Sequence, residues 1–402
     1  MRLTEIIQIN SSKQVSKLCH LAKNLYNLAN WYVRQDFFHL NNALSYYDLD
    51  FILKHKEAYR KLPSQTSQQI LKVVSRNWKS YFKTLKEYKN NYKKFKKKPR
   101  IPRYKKKNGE TIIIFTNQQC KIKDGYLYFP RRINIEPIKT RIKDKLKEVR
   151  IIPLGIKYKV EIVYEKEEQN FHLNQNNVLA IDLGLNNLIT AVNNIGQEPI
   201  IIKGKVLKSI NQFYNKQLAY YRSIENRKGY FKDTKRIKRL HLKRTNKITT
   251  LFHRTSRYIV EYCIQHNIGS IVIGYNKEWK QNINIGKRNN QNFTHIPFSK
   301  FLLQLKYKAE LVGIHYITDD ESYTSKCSFL DKEKIKKHNV YLGKRIRRGL
   351  FRASDGTIIN ADVNGAYNIM KKAFPNSISV DGIEAFGLMP QIIQHNIVDM
   401  II

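Results

Sequence analysis

The sequence predicts a multi-domain α/β protein, in which a lobe of helices and a small β-barrel precedes a domain built on a mixed sheet. Three observations carry that expectation. Residues 15–92 place apolar side chains at three- and four-residue steps, residues 111–165 alternate apolar and polar residues, and residues 178–375 read β-β-β-α-β-α-β-α. A chain of 402 residues, 42% of them apolar, has room for two or three such cores.

The first helix follows from Val15, Leu18, Ala22, Leu25, Ala29 and Tyr32, which share one face. A break at Leu62-Pro63 precedes the second, with Ser64 or Thr66 available as its cap and Ile70, Val73, Val74, Trp78 and Phe82 as its apolar face. The stretch KKFKKKPRIPRYKKKNG (93–109) holds ten cations and two prolines, which excludes a buried element. It reads either as a solvated linker or as a strap along a phosphate backbone, and the charge of the whole chain favours the strap. Strands follow at TIIIFT (111–116), GYLYFP (125–130) and YKVEIVYE (158–165).

In the second half, strand one is VLAIDL (178–183), strand two LITAV (188–192) after the turn at Gly184–Asn187, and strand three PIIIK (199–203). A long basic helical pair covers 205–266, with a basic helix expected at 226–244. Strand four is SIVIG (270–274). A helix then gathers Phe298, Phe301, Leu302, Leu305 and Ala309 on one face, strand five is GIHYIT (313–318), and a last helix starts near Asp362 and ends before Pro375. That order of elements is the RNase H topology.

Lys and Arg number 74 against 32 Asp and Glu, a formal net charge of +42. Such a surplus repels itself in a compact fold unless a polyanion neutralises it, so the expected partner is nucleic acid. No stretch supplies the ~20 apolar residues that span a bilayer, and MRLTEIIQIN lacks the regions of a signal peptide. Cys19, Cys120, Cys263 and Cys327 are far apart without paired spacing, so the expectation is a reduced, cytoplasmic, nucleoid-associated bacterial protein. Neither a membrane nor a small-molecule substrate is expected.

Asp182 ends an apolar strand that runs into a Gly-Leu-Asn-Asn turn, where an acid is either a turn former or a ligand. Asp362, opening the last helix, is either an N-cap or a ligand. In an RNase H-like fold the two positions converge. Carboxylates brought together repel unless divalent cations lie between them, typically two ions ~3.5–4 Å apart, and hard Mg²⁺ suits oxygen ligands.

The motif IDLGLNN (181–187) resembles the first motif of RuvC-like nuclease domains, and NADVNGAYNI (360–369) resembles the third. The series SYTSKC, FRASDG, NADVN is similar to the C-terminal half of the TnpB family of transposon-encoded RNA-guided nucleases. LCHLAKNLYNLANWYVRQ, LPSQTSQQIL, KPRIPRYKKK and YLYFP are similar to its N-terminal half. The resemblance runs from about residue 14 to residue 375. It implies a guide RNA, a double-stranded DNA target beside a short recognition motif, and a Mg²⁺-dependent DNA endonuclease with two ions (Mn²⁺ as a substitute). Sequence reading would fall to base pairing.

Two departures from the family pattern stand out. Strand four ends in Gly274 where the family has a glutamate, which leaves a third metal ligand to be found. Glu321, following strand five in Asp319-Asp320-Glu321, is the first candidate, because parallel neighbours lie ~4.8 Å apart and its side chain can reach the space Gly274 leaves open. Glu278, just past strand four, is the alternative third acid; Asp319 and Asp320 would tune the local field. Of the family's two cysteine pairs only Cys327 remains, since FRASDG has none, so no zinc is expected.

The resemblance divides the chain into a first barrel strand (1–14), a helical recognition region (15–92), basic strap and wedge-like barrel (93–177), the first part of the nuclease (178–321), a degenerate zinc-ribbon-like insertion (322–360), the final nuclease helix (361–375) and a tail (376–402). Nucleic acid is expected on Lys97, Lys98, Arg103, Lys105, Arg131, Arg227, Lys228, Arg236, Arg239 and Arg254. Trp78, Phe82, Tyr230 and Phe231 could stack on bases. Two other readings remain: a nuclease-dead RNA-guided repressor, and an RNA-independent transposase or junction resolvase on the same fold.

Overall fold

The computed structural model describes residues 1–40, 42–276, 296–378 and 385–393. It consists of two compact units, Met1–Lys166 and Glu167–Ile402.

The first unit begins with β1 (Arg2–Asn10), then α1 (Lys13–Leu40), α2 (Tyr46–Leu53), α3 (Glu57–Arg60) and α4 (Ser64–Asn90). Six strands follow: β2 (Ile113–Thr116), β3 (Lys121–Lys123), β4 (Tyr126–Tyr128), β5 (Ile138–Lys139), β6 (Lys145–Pro153) and β7 (Lys157–Glu165). Helix α1 buries Val15, Leu18, Ala22, Leu25 and Ala29, and α4 buries Ile70, Val74 and Trp78. Neither Ser64 nor Thr66 caps α4. Pro63 holds the N-cap position without a side-chain bond, and the Thr66 hydroxyl is buried against Gln119.

In place of the expected barrel stands an open antiparallel sheet, β1-β7-β6-β2, with a separate small sheet, β3-β4-β5. Four strands are too few to curl shut; closure with a filled interior takes about eight. The apolar face is covered by helices instead: Ile113, Phe115, Val149, Ile151, Val160 and Ile162 join one core with α1 and α4.

The second unit runs β8 (Asn174–Leu183), β9 (Asn187–Asn193), β10 (Ile200–Lys203), α5 (Lys205–Arg227), α6 (Lys235–Gln265), β11 (Ile268–Gly274), α7 (Phe298–Leu311) and β12 (His315–Asp319). Three short strands, β13 (Lys344–Arg347), β14 (Leu350–Arg352) and β15 (Ile358–Asn360), form a sheet of their own before α8 (Ala361–Ala373) and β16 (Gln391–Ile393). The large sheet has the order β12-β11-β8-β9-β10-β16. β9 is antiparallel to both of its neighbours, and the remaining pairs are parallel. The sixth strand, β16, lies within the segment that the sequence left as a tail.

Alternation along the strands sorts the two faces. Leu179, Ile181 and Leu183 share a core with α6 and α7. Val178, Ala180 and Val272 pack against α8. By the same period of two, Asp182 and Gly274 belong to the α8 face.

The basic stretch 226–244 is not one helix. α5 ends at Arg227, and Gly229 at φ 70° closes it with a left-handed turn, the Tyr230 N–H reaching back to the Glu225 carbonyl at 2.9 Å. Glycine takes that conformation without a Cβ clash, which is why the helix stops there. α6 starts at Lys235. Among the described residues no helix is long and apolar enough to cross a membrane.

Candidate active site

Asp182 is an in-register strand residue opposite Thr190, not part of the turn that follows. Helix α8 comes close over it: a Cβ added to Gly365 would sit 3.4 Å from Asp182 Oδ2. Asn360, not Asp362, caps α8, its side chain accepting from the Asp362 and Val363 N–H groups at 3.0 and 3.3 Å. With the cap filled, the Asp362 carboxylate is available for other partners. Asn187 Nδ2 donates to its Oδ2 at 2.6 Å, Arg345 Nη2 lies 3.4 Å from its Oδ1, and Lys203 Nζ in turn donates to Asn187 Oδ1 at 3.3 Å.

Gly274 ends β11 opposite Asp319 of β12, and the Tyr275 N–H donates to the Asp319 carbonyl at 2.8 Å. Two residues past that pair, Glu321 turns onto the α8 face. A Cβ at Gly274 would meet Ile369 Cδ1 at 2.5 Å and Glu321 Cβ at 3.2 Å.

Electrostatics ties the three acids together. Burial, followed by the Asp362 and Glu321 carboxylates, pushes Asp182 well above the usual aspartate range, against weaker opposition from the Leu183 N–H and Arg345. Burial, with Asp320 beside it, pushes Glu321 up to about 7. A buried carboxyl raised by two nearby carboxylates marks a place where a cation would be stabilised. The carboxylates converge without closing: among the described residues no three His, Cys, Asp or Glu side chains stand as a ready-made metal-ligand set. The guanidinium of Arg345 supplies the positive charge at Asp362 instead. Glu278 lies outside the described residues.

The 322–360 insertion is organised without a cysteine cluster. The buried Cys327 thiol donates to the Lys334 and Lys336 carbonyls at 3.5 and 3.6 Å. Glu333, also buried, accepts from the Ser328 and Leu342 N–H groups at 2.7 and 3.2 Å. Asp331 holds the Ser354 N–H at 3.1 Å.

The cations expected to meet nucleic acid are exposed in both units: Lys97, Lys98, Arg103, Lys105 and Arg131 in the first, Arg227, Lys228, Arg236 and Arg239 in the second. Arg254 is half-buried. Of the aromatic candidates, Tyr230 and Phe231 are exposed. Trp78 is core, its Nε1–H donating to Asn30 Oδ1 at 2.8 Å, and Phe82 packs against Phe37. The strap is stapled to α1 along one stripe: Lys23 Nζ donates to the Lys107 carbonyl at 2.6 Å, Asn27 exchanges two bonds with the Lys105 main chain, and Asn30 donates to the Pro102 carbonyl at 3.2 Å. Between α5 and α6 a cavity of about 260 Å³ is lined by Phe213, Tyr214, Lys243, Arg244 and Lys247 among others.

The structure is that of a mixed α/β protein of two units, the second of which carries Asp182, Asp362 and Glu321 near α8. Residues 161–280 match the OrfB_IS605 family, described as "Probable transposase", and residues 298–369 match the Cas12f1-like TNB domain. A TnpB-like protein of Acidianus two-tailed virus is 22% identical over 90% of this chain and 83% of its own length. The CRISPR-associated endodeoxyribonuclease Cas12f1 of Sulfoacidibacillus thermotolerans is 32% identical over 55% of this chain, which spans half of that relative's length. A solved Cas12f1-sgRNA-target DNA complex superposes on 89% of this chain and 83% of its own with a TM-score of 0.53 at 14% identity, a likeness of fold. These matches are to TnpB-like and Cas12f1-like proteins, and they support the TnpB family for this chain.

Proposed function

We propose that the protein is an RNA-guided DNA endonuclease whose RuvC-like, RNase H-like domain cuts DNA with Asp182, Asp362 and a relocated third acid, Glu321. The observation that carries this reading is the meeting of Asp182, Asp362 and Glu321 on the α8 face of the large sheet, where the Asp362 and Glu321 carboxylates add to burial in raising Asp182. The strand order and directions of that sheet support the RNase H-like assignment. The endodeoxyribonuclease relatives support the reaction, and the charge of +42 supports a polyanionic guide and target.

The donor chemistry fits a hard divalent cation. All three side chains offer oxygen, and the Asp182 carboxyl faces two other carboxylates while its own N–H support is a single main-chain group. Asp182, Glu321 and Asp362 would hold Mg²⁺, which supplies an activated water and charge stabilisation at the leaving oxygen. The chain's residues prepare that site. Asn187, backed by Lys203, fixes the Asp362 carboxylate. Gly365 lets α8 approach Asp182. The missing side chain at Gly274 admits Ile369, with Glu321 Cβ beside it. The exposed cations of each unit would hold guide and target through phosphates.

The test is a cleavage assay with guide RNA transcribed from the native flank of the gene. Asp182→Asn, Asp362→Asn and Glu321→Gln should each lower cutting by orders of magnitude while guided target binding survives. Glu278→Gln should cut. Full activity of Glu321→Gln with loss in Glu278→Gln would transfer the third acid to Glu278. A wild type that binds guided targets but cuts nothing in Mg²⁺ or Mn²⁺ is a repressor, and cutting without RNA would make it a transposase or resolvase.

A further inference from the structure

Helix α8 has a second polar stripe that the reaction does not use. Asn364, Asn368 and Lys372, four residues apart, lie along the side of the helix that meets residues 320–329. Asn364 accepts the Phe329 N–H at 2.9 Å and donates to the Cys327 carbonyl at 2.9 Å. Asn368 Nδ2 donates to the Thr324 and Cys327 carbonyls at 2.9 and 2.8 Å. Lys372 Nζ donates to the Asp320 carbonyl at 2.7 Å and to its Oδ2 at 3.0 Å. The gripped segment is the turn that carries Glu321.

We infer that Asn364 and Asn368 are positioning residues for the third acid, clamping the Glu321 turn in register with the helix that bears Asp362. The inference rests on reading Glu321 as that acid. Both asparagines are fully buried, and a buried amide is destabilising unless its hydrogen bonds are made. Asn368 Oδ1 nonetheless has no partner among the described residues. The side chain is thus held there for its two donated bonds, at the cost of an idle acceptor. Apolar contact alone would keep the turn against the helix, and Phe329 already stacks on Tyr367 with centroids 4.8 Å apart. Apolar contact does not fix register along a helix, whereas bonds to the Thr324 and Cys327 carbonyls and the Phe329 N–H do. An acid borne on a ladder strand inherits its register from the sheet. Glu321 lies beyond the last ladder residue, Asp319, and just before Tyr323 at φ 69°, so its register has to come from elsewhere.

Full-length Asn364→Ala, Asn368→Ala and Asn368→Ser are compared with Glu321→Gln in three measurements. These are Mn²⁺ binding to the RNA-free chain by electron paramagnetic resonance of the free ion, guided target binding, and cleavage as a function of Mn²⁺. The alanine variants should weaken Mn²⁺ binding about ten- to hundred-fold, the usual effect of removing a group that orients a ligand. Cleavage should recover as Mn²⁺ is raised, target binding should hold, and Asn368→Ser, which keeps one donor, should fall between. In the Glu321→Gln background Asn368→Ala should add no further loss of Mn²⁺ affinity. If Asn368→Ala melts below the assay temperature, the serine variant carries the same comparison. Wild-type Mn²⁺ affinity and metal dependence in folded asparagine variants, alongside an inactive Glu321→Gln, would overturn the clamp and leave the third acid standing. An active Glu321→Gln with wild-type Mn²⁺ affinity overturns both.

Discussion

Glu321 Cβ lies 3.2 Å from the point where a side chain on Gly274 would begin, so two positions on separate segments compete for one space. The absent glutamate and the relocated one are alternatives that cannot both be accommodated without movement.

That competition makes acid transfer testable. Gly274→Glu in the Glu321→Gln background should restore little cutting, because its Cβ would also strike Ile369 Cδ1 at 2.5 Å and Cγ1 at 3.0 Å. Adding Ile369→Ala removes both atoms and should raise cleavage at least about ten-fold above Glu321→Gln, equivalent to ~1.4 kcal/mol of barrier. Equal cleavage rates in the double and triple variants would show that the space at Gly274 does not open onto the acids.

Affinity for nucleic acid should be dominated by phosphate contacts, given +42 and exposed cations in each unit. Between ~50 and ~200 mM salt the dissociation constant should rise by orders of magnitude, log-linearly, if about six or more phosphates are neutralised. A flat salt titration contradicts this.

Purified protein should carry well under one zinc per chain, since the Cys327 thiol is engaged by main-chain carbonyls and residues 351–356 hold no cysteine to partner it. Zinc in one-to-one amount after dialysis against a chelator would refute it. Glu333→Gln should lower stability by about 1–3 kcal/mol, because the buried carboxylate accepts two main-chain N–H groups. A melting temperature equal to that of the wild type would remove Glu333 from this role.

Acid should loosen the second unit through His253. Burial, then Lys308 and Lys300, lowers its pKa from 6.5 to about 4, so the folded state keeps it neutral. A depressed folded value means the contribution is intact above the unfolded pKa and is lost as pH falls from about 6.5 toward 4, by up to about 1 kcal/mol per unit. His253→Gln, which keeps a polar group beside Gln304, should flatten that part of the urea-midpoint profile. Identical slopes in variant and wild type would rule it out.

The strands of the second unit were legible because runs such as VLAIDL and SIVIG are β-branched, apolar and ended by turn residues. Gly274 pointed to a missing acid, and the parallel pairing of its strand with the next directed attention to Glu321. The sixth strand was not legible: three residues, Gln391–Ile393, show no period. Sheet closure in the first unit depends on pairings distant in sequence, so alternation alone suggested a barrel where an open sheet stands. Asn187 and Arg345, which hold Asp362, gave no local signal. Asn364 and Asn368 did give one, a pair of amides four residues apart amid the apolar face of a helix, and it passed as part of a motif.

The stapled strap has a consequence for what it can recognise. The carbonyls of Pro102, Lys105 and Lys107 and the Lys105 N–H are all engaged by α1. Main-chain amides, which cradle a phosphate at a fixed angle, are therefore withdrawn at Lys105, and what faces outward from the strap is a row of long cations such as Lys97, Lys98 and Arg103. Such a surface would meet any phosphate backbone alike and distinguish no letter from another. It would hold a polyanion in place while the choice of sequence is made by some other pairing.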